Sequence, residues 1–252
     1  MTTSVHRRSL VSAAFIGALL LLIFYPTLRW LANEWMSNDY YSHGLLVPFI
    51  SAFFVWRLWP HIGPRQPSDL GMLLLAAGLI LYLGALFSKA YFIASFGIIL
   101  LLAGLVWFLI GTRALRVFAF PLGFLVFMIP LPFVERSSLP LAFLTGKLAA
   151  MVVRFLGVEI TVHGNQVILP SANLVVGAQC SGVRSIVTLF TLVAIFIFVL
   201  RGPWWGKLVL ALSAIPVAAV GNVARVASLL IVANGWGTEA GFNFYHNYTG
   251  LV

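Results

Sequence analysis

Long apolar runs separated by short, arginine-bearing loops dominate the pattern of this chain. Most of the runs approach the roughly 20 residues that an α-helix needs to cross a bilayer. Seven runs have this character, and they cover Leu10–Leu28, Asp39–Trp59, Leu70–Phe87, Tyr91–Ile110, Val117–Pro130, Ser181–Leu200 and Leu208–Val232. We therefore predict an all-α polytopic membrane protein with about seven to eight transmembrane helices, built as a single integral-membrane domain over residues 1–252.

Composition and charge agree with a membrane protein and indicate its orientation. The chain is 62% hydrophobic and 8% charged, a balance that soluble domains of this size do not show. Its net charge of +9 comes from basic residues in short loops, which set orientation, so we expect no nucleic-acid partner. Arg7 and Arg8 precede the first run, and Arg201 and Lys207 separate the last two. The N-terminus and this last loop are predicted to be cytoplasmic.

The segment Leu139–Val158 is apolar enough to span, yet it carries Lys147 and Arg154 seven residues apart, on one helical face. A lysine near the bilayer centre costs roughly 2.5–3.5 kcal/mol on insertion scales, and an amphipathic helix in the interface avoids that cost. A further crossing here would also move Arg201 and Lys207 to the outside. We predict that this segment lies flat or re-enters.

A turn-rich segment, Glu159–Val176, precedes the sole cysteine, Cys180. Its β-branched residues are interrupted by HGN and PSAN, which predicts a small extracytoplasmic β-hairpin. Cys180 then stands at the expected start of a membrane helix, with Arg184 four residues later on the same face. A helix N-terminus and a nearby cation both lower the pKa of a thiol, so Cys180 is a candidate nucleophile. Taken alone, a lone cysteine is more often a small buried hydrophobe.

Three more polar residues are expected near the face that holds Cys180. Arg225 lies inside an apolar run, where a charge by default marks a functional site, although a snorkelling or structural arginine is about as common. His246 lies in the outer segment Asn234–Tyr248, and His43 lies in the outward YSHG stretch. Either histidine is, by itself, more often an ordinary loop residue.

The chain resembles the exosortase/archaeosortase family of membrane cysteine transpeptidases, in its bacterial exosortase branch. The matching stretches are NDYYSHGLLVPFIS at Asn38–Ser51, IPLP at Ile129–Pro132, VILPSANLVVGAQCSGVRS at Val167–Ser185, GNVARV at Gly221–Val226 and the late His246. The resemblance implies about eight membrane helices. It also implies that Cys180 is the nucleophile and that Arg225 and His246 complete the catalytic residues.

The resemblance further implies an inner-membrane enzyme with an extracytoplasmic active site. Its substrates would be PEP-CTERM-type exported proteins, whose C-terminal sorting signal combines a Pro-Glu-Pro motif, a hydrophobic helix and a basic tail. A lipid or polysaccharide acceptor and membrane lipids are the other expected partners. Arg184 and His43 are candidate substrate-binding residues, and His43 is also the rival base. Arg225 has two open roles, stabilising the oxyanion or holding the thiolate. We expect no cofactor and no metal.

Two other classes of function remain at this point. A non-enzymatic membrane component of a polysaccharide export system would need no thiol. A small-solute transporter would use the intramembrane arginine and broken helices as a substrate site. The latter is expected to show inverted-repeat hydropathy, which the sequence does not display.

Overall fold

The computed structural model of the chain describes residues 22–248, and the side chains at positions 242 and 245–248 lie outside this description. The described chain is predominantly helical and separates into two compact units, with the division between Pro130 and Leu131. The predicted first span, Leu10–Leu28, lies mostly outside the described residues.

The first unit is made of helices of unequal length. Its α-helices are α1 (22–37), α2 (Leu46–Leu58), α3 (Leu70–Phe87), α4 (Tyr91–Leu109), α5 (Thr112–Val117) and α6 (Ala119–Phe124), with 3₁₀ helices at Asp39–Leu45, Trp59–His61 and Leu125–Met128. The segment 29–39, which follows the first predicted span and was predicted to lie outside the membrane, is helical through residue 37.

Two predicted spans of the first unit are divided. The run Asp39–Trp59 begins as a 3₁₀ helix and becomes α-helical only at Leu46. The run Val117–Pro130 is broken into short pieces around Pro121, as expected of a residue that lacks a backbone N–H. Neither run forms one long helix.

Helices α3 and α4 form an antiparallel pair packed through glycines. A Cβ added to Gly97 would lie 2.9 Å from the backbone of Tyr82, and one added to Gly104 would lie 2.8 Å from the backbone nitrogen of Leu75. Small residues allow such close approach of apolar helices, for which lipid supplies no hydrophobic driving force. The buried hydroxyl of Tyr82 donates a hydrogen bond of 2.7 Å to the carbonyl of Ile23, which ties α3 to α1.

The second unit combines four helices with a small sheet. Its elements are α7 (Pro132–Phe155), β1 (Thr161–His163), β2 (Gln166–Leu169), β3 (Ala172–Val175), a 3₁₀ helix at Ala178–Cys180, α8 (Val183–Val199), α9 (Trp204–Trp236) and α10 (Thr238–Tyr248). The segment Asn234–Tyr248, which was predicted to lie outside the membrane, is helical except at Gly237.

The sheet is a three-stranded antiparallel meander, where the sequence predicted a single hairpin. Strand β1 pairs with β2, with His163 opposite Gln166, and β2 pairs with β3, with Leu169 opposite Ala172. Each of the two turn signals, HGN and PSAN, therefore closes its own hairpin. Gly164 in the first turn has a φ of +62°, which glycine adopts without steric cost.

Four described helices are long and apolar enough to cross a membrane: α3, α4, α7 and α9. Helix α7 contains residues 139–155 of the segment that the sequence analysis placed flat. It is longer than predicted, because it begins at Pro132 and takes in the polar residues Glu135 to Ser138. Helices α6, with its 3₁₀ extension to Met128, and α8 are apolar but shorter.

The core of the second unit lies between α7, α9 and one face of the sheet. It is built from buried alanine, valine and leucine residues of the two helices and buried aliphatic residues of the strands. Val167 and Leu174, paired across β2 and β3, are 1% and 3% exposed. Cys180 belongs to the same cluster, so the candidate nucleophile lies in the core of this unit.

Candidate active site

Cys180 is the last residue of a short 3₁₀ helix, and it precedes α8 rather than belonging to it. Gly182, with a φ of +74°, reverses the chain, and α8 begins at Val183. The hydroxyl oxygen of Ser181 accepts a hydrogen bond from the amide of Val183 at 3.3 Å. The prediction that Cys180 stands at the helix N-terminus is therefore wrong by three residues, because the glycine turn delays the start of α8.

Arg184 does not share a helical face with Cys180. Since α8 begins between the two residues, the spacing of four does not correspond to one helical turn. The side chain of Arg184 is exposed, whereas Cys180 is only 3% exposed. The predicted electrostatic pairing of these two side chains lacks its geometric basis.

Asn222, on α9, holds the backbone of Cys180. Its Nδ2 donates hydrogen bonds to the carbonyl oxygen of Cys180, at 2.8 Å, and to Oγ1 of Thr145 on α7, at 3.1 Å. Both side chains are buried, with Asn222 at 5% and Thr145 at 7% exposure. One amide thus joins α7, α9 and the cysteine turn.

The oxygen of the Asn222 side-chain amide has no hydrogen-bond donor beside it among the described residues. Oδ1 of Asn222 is buried and accepts no hydrogen bond within residues 22–248. A buried acceptor without a donor costs about 1–3 kcal/mol, and such groups in native structures call for an explanation. The buried Oδ1 of Asn222 lowers the stability of the fold, so the presence of asparagine at this position needs another explanation.

Arg225 lies on α9 three residues beyond Asn222, hence on roughly the same side of the helix. Its side chain is half-buried and its Nε is fully buried, while its carbonyl accepts a hydrogen bond of 2.7 Å from the hydroxyl of Ser228. Helix α9 thus carries both the residue that contacts the Cys180 backbone and, one turn further, the predicted catalytic arginine.

The two candidate histidines are placed differently. His246 lies in α10, which packs against α9 and reaches β3, but its side chain falls outside the described residues. Gly241 of α10 allows that packing, because a Cβ there would lie 2.8 Å from the Cβ of Ala233. His43 belongs to the first unit, where its ring stacks on Tyr41 with centroids 6.1 Å apart.

Sequence reasoning missed Asn222 and Thr145 as members of this site. In the sequence, Asn222 stood out only as part of the stretch Gly221–Val226. The available signal was its position three residues before Arg225, since two polar residues one turn apart on a membrane helix mark one polar side. Thr145 gave no signal, because a lone threonine is common in membrane helices.

The comparison with protein families decides the identity of the chain. Residues 35–252 match the family model described as Transmembrane exosortase (Exosortase_EpsH). The chain belongs to the transmembrane exosortase family. The match includes Cys180, Asn222, Arg225 and His246, and it covers all of the second unit. Neither the curated proteins nor the solved structures contain a match to this chain.

Family membership and the apolar helices together make this exosortase a multi-pass membrane protein. Among the described residues, no group of three or more His, Cys, Asp or Glu side chains is arranged to hold a metal ion. The described side chains at the site offer a thiol, a guanidinium, an amide and hydroxyl groups.

Proposed function

We propose that this exosortase is a cysteine protease and transpeptidase that cleaves the C-terminal sorting signal of exported proteins and transfers them to a surface or lipid acceptor. The observation that carries the proposal is the setting of Cys180. The only thiol of the chain ends a turn whose backbone is tied by Asn222 to α9, the helix that also carries Arg225. Membership in a family of membrane proteases and transpeptidases supports the same chemistry.

The reaction begins with the Sγ of Cys180 attacking the scissile carbonyl of the sorting signal. An S–C bond forms, and the carbonyl electrons move onto oxygen as a tetrahedral oxyanion. Arg225 is the cation available to stabilise this oxyanion by paired hydrogen bonds, or to keep the thiol ionised before the attack. When the intermediate collapses, the C–N bond breaks and the carbonyl re-forms as a thioester on Cys180.

The leaving amine needs a proton, and His246 is the candidate donor by the logic of Cys-His pairs. The imidazole takes the thiol proton and delivers it to the departing nitrogen. The thioester then passes to an amine or hydroxyl acceptor, or to water, and the thiol is regenerated. We expect this chemistry at the outer face of the inner membrane, with PEP-CTERM-type proteins as substrates and a lipid or polysaccharide as acceptor.

The competing account is a non-enzymatic membrane component, and one observation favours it. Cys180 is 3% exposed within an apolar cluster, which is the ordinary environment of a structural cysteine. On that account Cys180 fills space, and replacing it with alanine would leave function intact.

Processing of a reporter protein tests the two accounts. The reporter carries a Pro-Glu-Pro sorting tail, and cleavage appears as a mobility shift in cells that express each variant at matched membrane levels. We expect Cys180→Ala and Cys180→Ser to abolish the shift while inserting normally, because the replacement is small and the turn is held through backbone atoms. Wild-type processing by Cys180→Ala would leave the non-enzymatic account in place.

A further inference from the structure

We propose that Asn222 is a positioning residue of this reaction, which holds the backbone of Cys180 through its Nδ2 so that Sγ is presented for attack. The inference rests on the proposed function, since it assumes that Cys180 is the nucleophile. It assigns to Asn222 a role in presenting the thiol, without contact to the reacting atoms.

The first argument is that the orientation of the amide is fixed by its neighbours. The carbonyl oxygen of Cys180 can only accept a hydrogen bond, so the group facing it at 2.8 Å must be the nitrogen. The second hydrogen of Nδ2 points to Thr145 at 3.1 Å. With both donors engaged on different elements, the amide cannot rotate without breaking a buried hydrogen bond.

The second argument is that the turn is shaped around Asn222. Gly182 supplies a φ of +74°, and a Cβ at that position would lie 2.6 Å from Cγ of Asn222. The backbone of the turn therefore approaches the amide as closely as a residue without a side chain allows. Because the carbonyl of Cys180 and the following turn are both fixed, χ1 is the main freedom left to Sγ.

The third argument is the buried Oδ1 atom, which accepts no hydrogen bond from the described part of the chain. A residue that only filled space here, such as leucine, would carry no unpaired acceptor. In Asn222, Oδ1 accepts no hydrogen bond from the described residues, whereas Nδ2 donates two hydrogen bonds. The two hydrogen bonds from Nδ2 therefore explain why an asparagine lies beside the turn that holds Cys180.

Asn222→Asp removes the amide donor and keeps the size of the side chain, but it also adds an acid beside Cys180. Asn222→Leu, which has a similar size, no charge and no donor, is therefore measured beside it and should show the same loss of processing. Aspartate has the same size and retains an acceptor oxygen in place of Oδ1, but it has no N–H for the carbonyl of Cys180. We expect reporter processing to fall by about 100-fold, the order of loss caused by a displacement of about 1 Å in an enzyme site. Thr145→Val should cause a smaller loss, and Thr145→Ser should restore processing because it keeps the hydroxyl.

The second readout is the alkylation rate of Cys180 by iodoacetamide in detergent, followed by intact mass. Since the chain has one cysteine, the mass shift reports on this thiol alone. Leu230→Ala is the matched control, because Leu230 is fully buried in the same core about two turns further along α9. At equal loss of Tm, Asn222→Asp should alkylate severalfold faster than Leu230→Ala, and only Asn222→Asp should lose processing per folded molecule.

The outcomes separate this inference from the proposed function. Processing by Cys180→Ala defeats the proposed function, and the role of Asn222 in catalysis falls with it. If Cys180→Ala is inactive, near-normal processing by Asn222→Asp overturns the positioning role alone. The same conclusion follows if the alkylation rates of Asn222→Asp and Leu230→Ala coincide at equal Tm. Should Asn222→Asp fail to insert, Thr145→Val decides: wild-type processing and alkylation there would overturn the inference.

Discussion

Gly182 and Asn222 fit together so closely that a single methyl group would separate them. A Cβ on Gly182 would lie 2.6 Å from Cγ and 2.7 Å from Nδ2 of Asn222, well inside van der Waals contact. The same glycine has a φ of +74°. The approach and the backbone conformation both require glycine, and both concern the turn that presents Cys180.

Gly182→Ala is therefore expected to damage the turn in two ways. Alanine in the left-handed region costs roughly 1–2 kcal/mol, and its methyl group would push Asn222 away from the carbonyl of Cys180. We expect a lower Tm in detergent and a loss of reporter processing larger than the stability loss explains.

Gly221→Ala is the matched control for this substitution. Gly221 precedes Asn222 on α9, is exposed, and has nothing within 4 Å of an added Cβ. In a helix, alanine is favoured over glycine by roughly 0.5–1 kcal/mol, so Tm should be unchanged or higher and processing normal. Equal behaviour of the two alanine variants would contradict the role assigned to Gly182.

Arg225→Lys should fail almost as badly as loss of the side chain. Lysine keeps the positive charge, but it lacks the planar fork that can hold a thiolate or an oxyanion by paired hydrogen bonds. Loss of one oxyanion donor typically lowers the rate by about 10²–10³. The measurement is the initial rate of reporter cleavage at matched membrane levels. A variant within a few-fold of wild type would mean that Arg225 acts only as a point charge.

His246→Ala and His43→Ala identify the base when they are measured side by side. If Arg225 alone keeps the thiol ionised, His246→Ala should retain weak formation of the acyl-enzyme. If His246 must take the proton, none should form. Trapping of a thioester on Cys180 by intact mass distinguishes these two results. A normal His246→Ala together with an inactive His43→Ala would transfer the role of base to His43.

The topology prediction follows from helix lengths. The apolar piece Ala119–Met128 has 10 residues, about 15 Å of helix, which is too short for a hydrocarbon core of about 30 Å. Helix α7 has 24 residues, about 36 Å. We expect that α7 crosses and that the piece before it does not. Because one crossing replaces another, the number of crossings before Cys180 is unchanged. Cys180 therefore stays outside and the loop Arg201–Lys207 stays inside.

Labelling of introduced cysteines in a Cys180→Ser background tests this arrangement. With a membrane-impermeant maleimide on intact cells, Ser171→Cys should react, whereas Gly202→Cys should react only after permeabilisation. Phe133→Cys, at the exposed start of α7, should behave like Gly202→Cys. Labelling of Phe133→Cys from outside would restore the flat placement of this helix.

Where hydrophobic runs end sharply, the sequence predicted the fold well. Helix α3 has the predicted bounds Leu70–Phe87, because polar residues flank it on both sides. Helix α7 was predicted seven residues too short at its start. Its first turns contain Pro132 and the polar residues Glu135 to Ser138, and hydropathy treats such residues as loop. Proline is accepted at the first turn of a helix, since its missing N–H would have no partner there.

The site was less predictable than the helices, because its decisive contact joins distant parts of the chain. Asn222 and Cys180 are 42 residues apart in sequence, and a single sequence carries no record of that pairing. The turn at Gly182 was also not predicted, and it made the spacing between Cys180 and Arg184 misleading. Their spacing of four implies a helical turn only if the helix is continuous, and a glycine with positive φ interrupts it.

We expect the length of helix α9 to set the depth of the site in the membrane. It begins at Trp204, whose exposed indole is of the kind that anchors helices at the membrane–water boundary. Arg225 lies 21 residues further along the same helix, about 32 Å from that anchor, which is close to one hydrocarbon thickness. One inserted residue between Pro216 and Asn222 would raise the site by about 1.5 Å and swing it by about 100° around the helix axis. We therefore expect the length of α9 to match the thickness of the bilayer around it, with tilting of the helix taking up moderate differences in thickness.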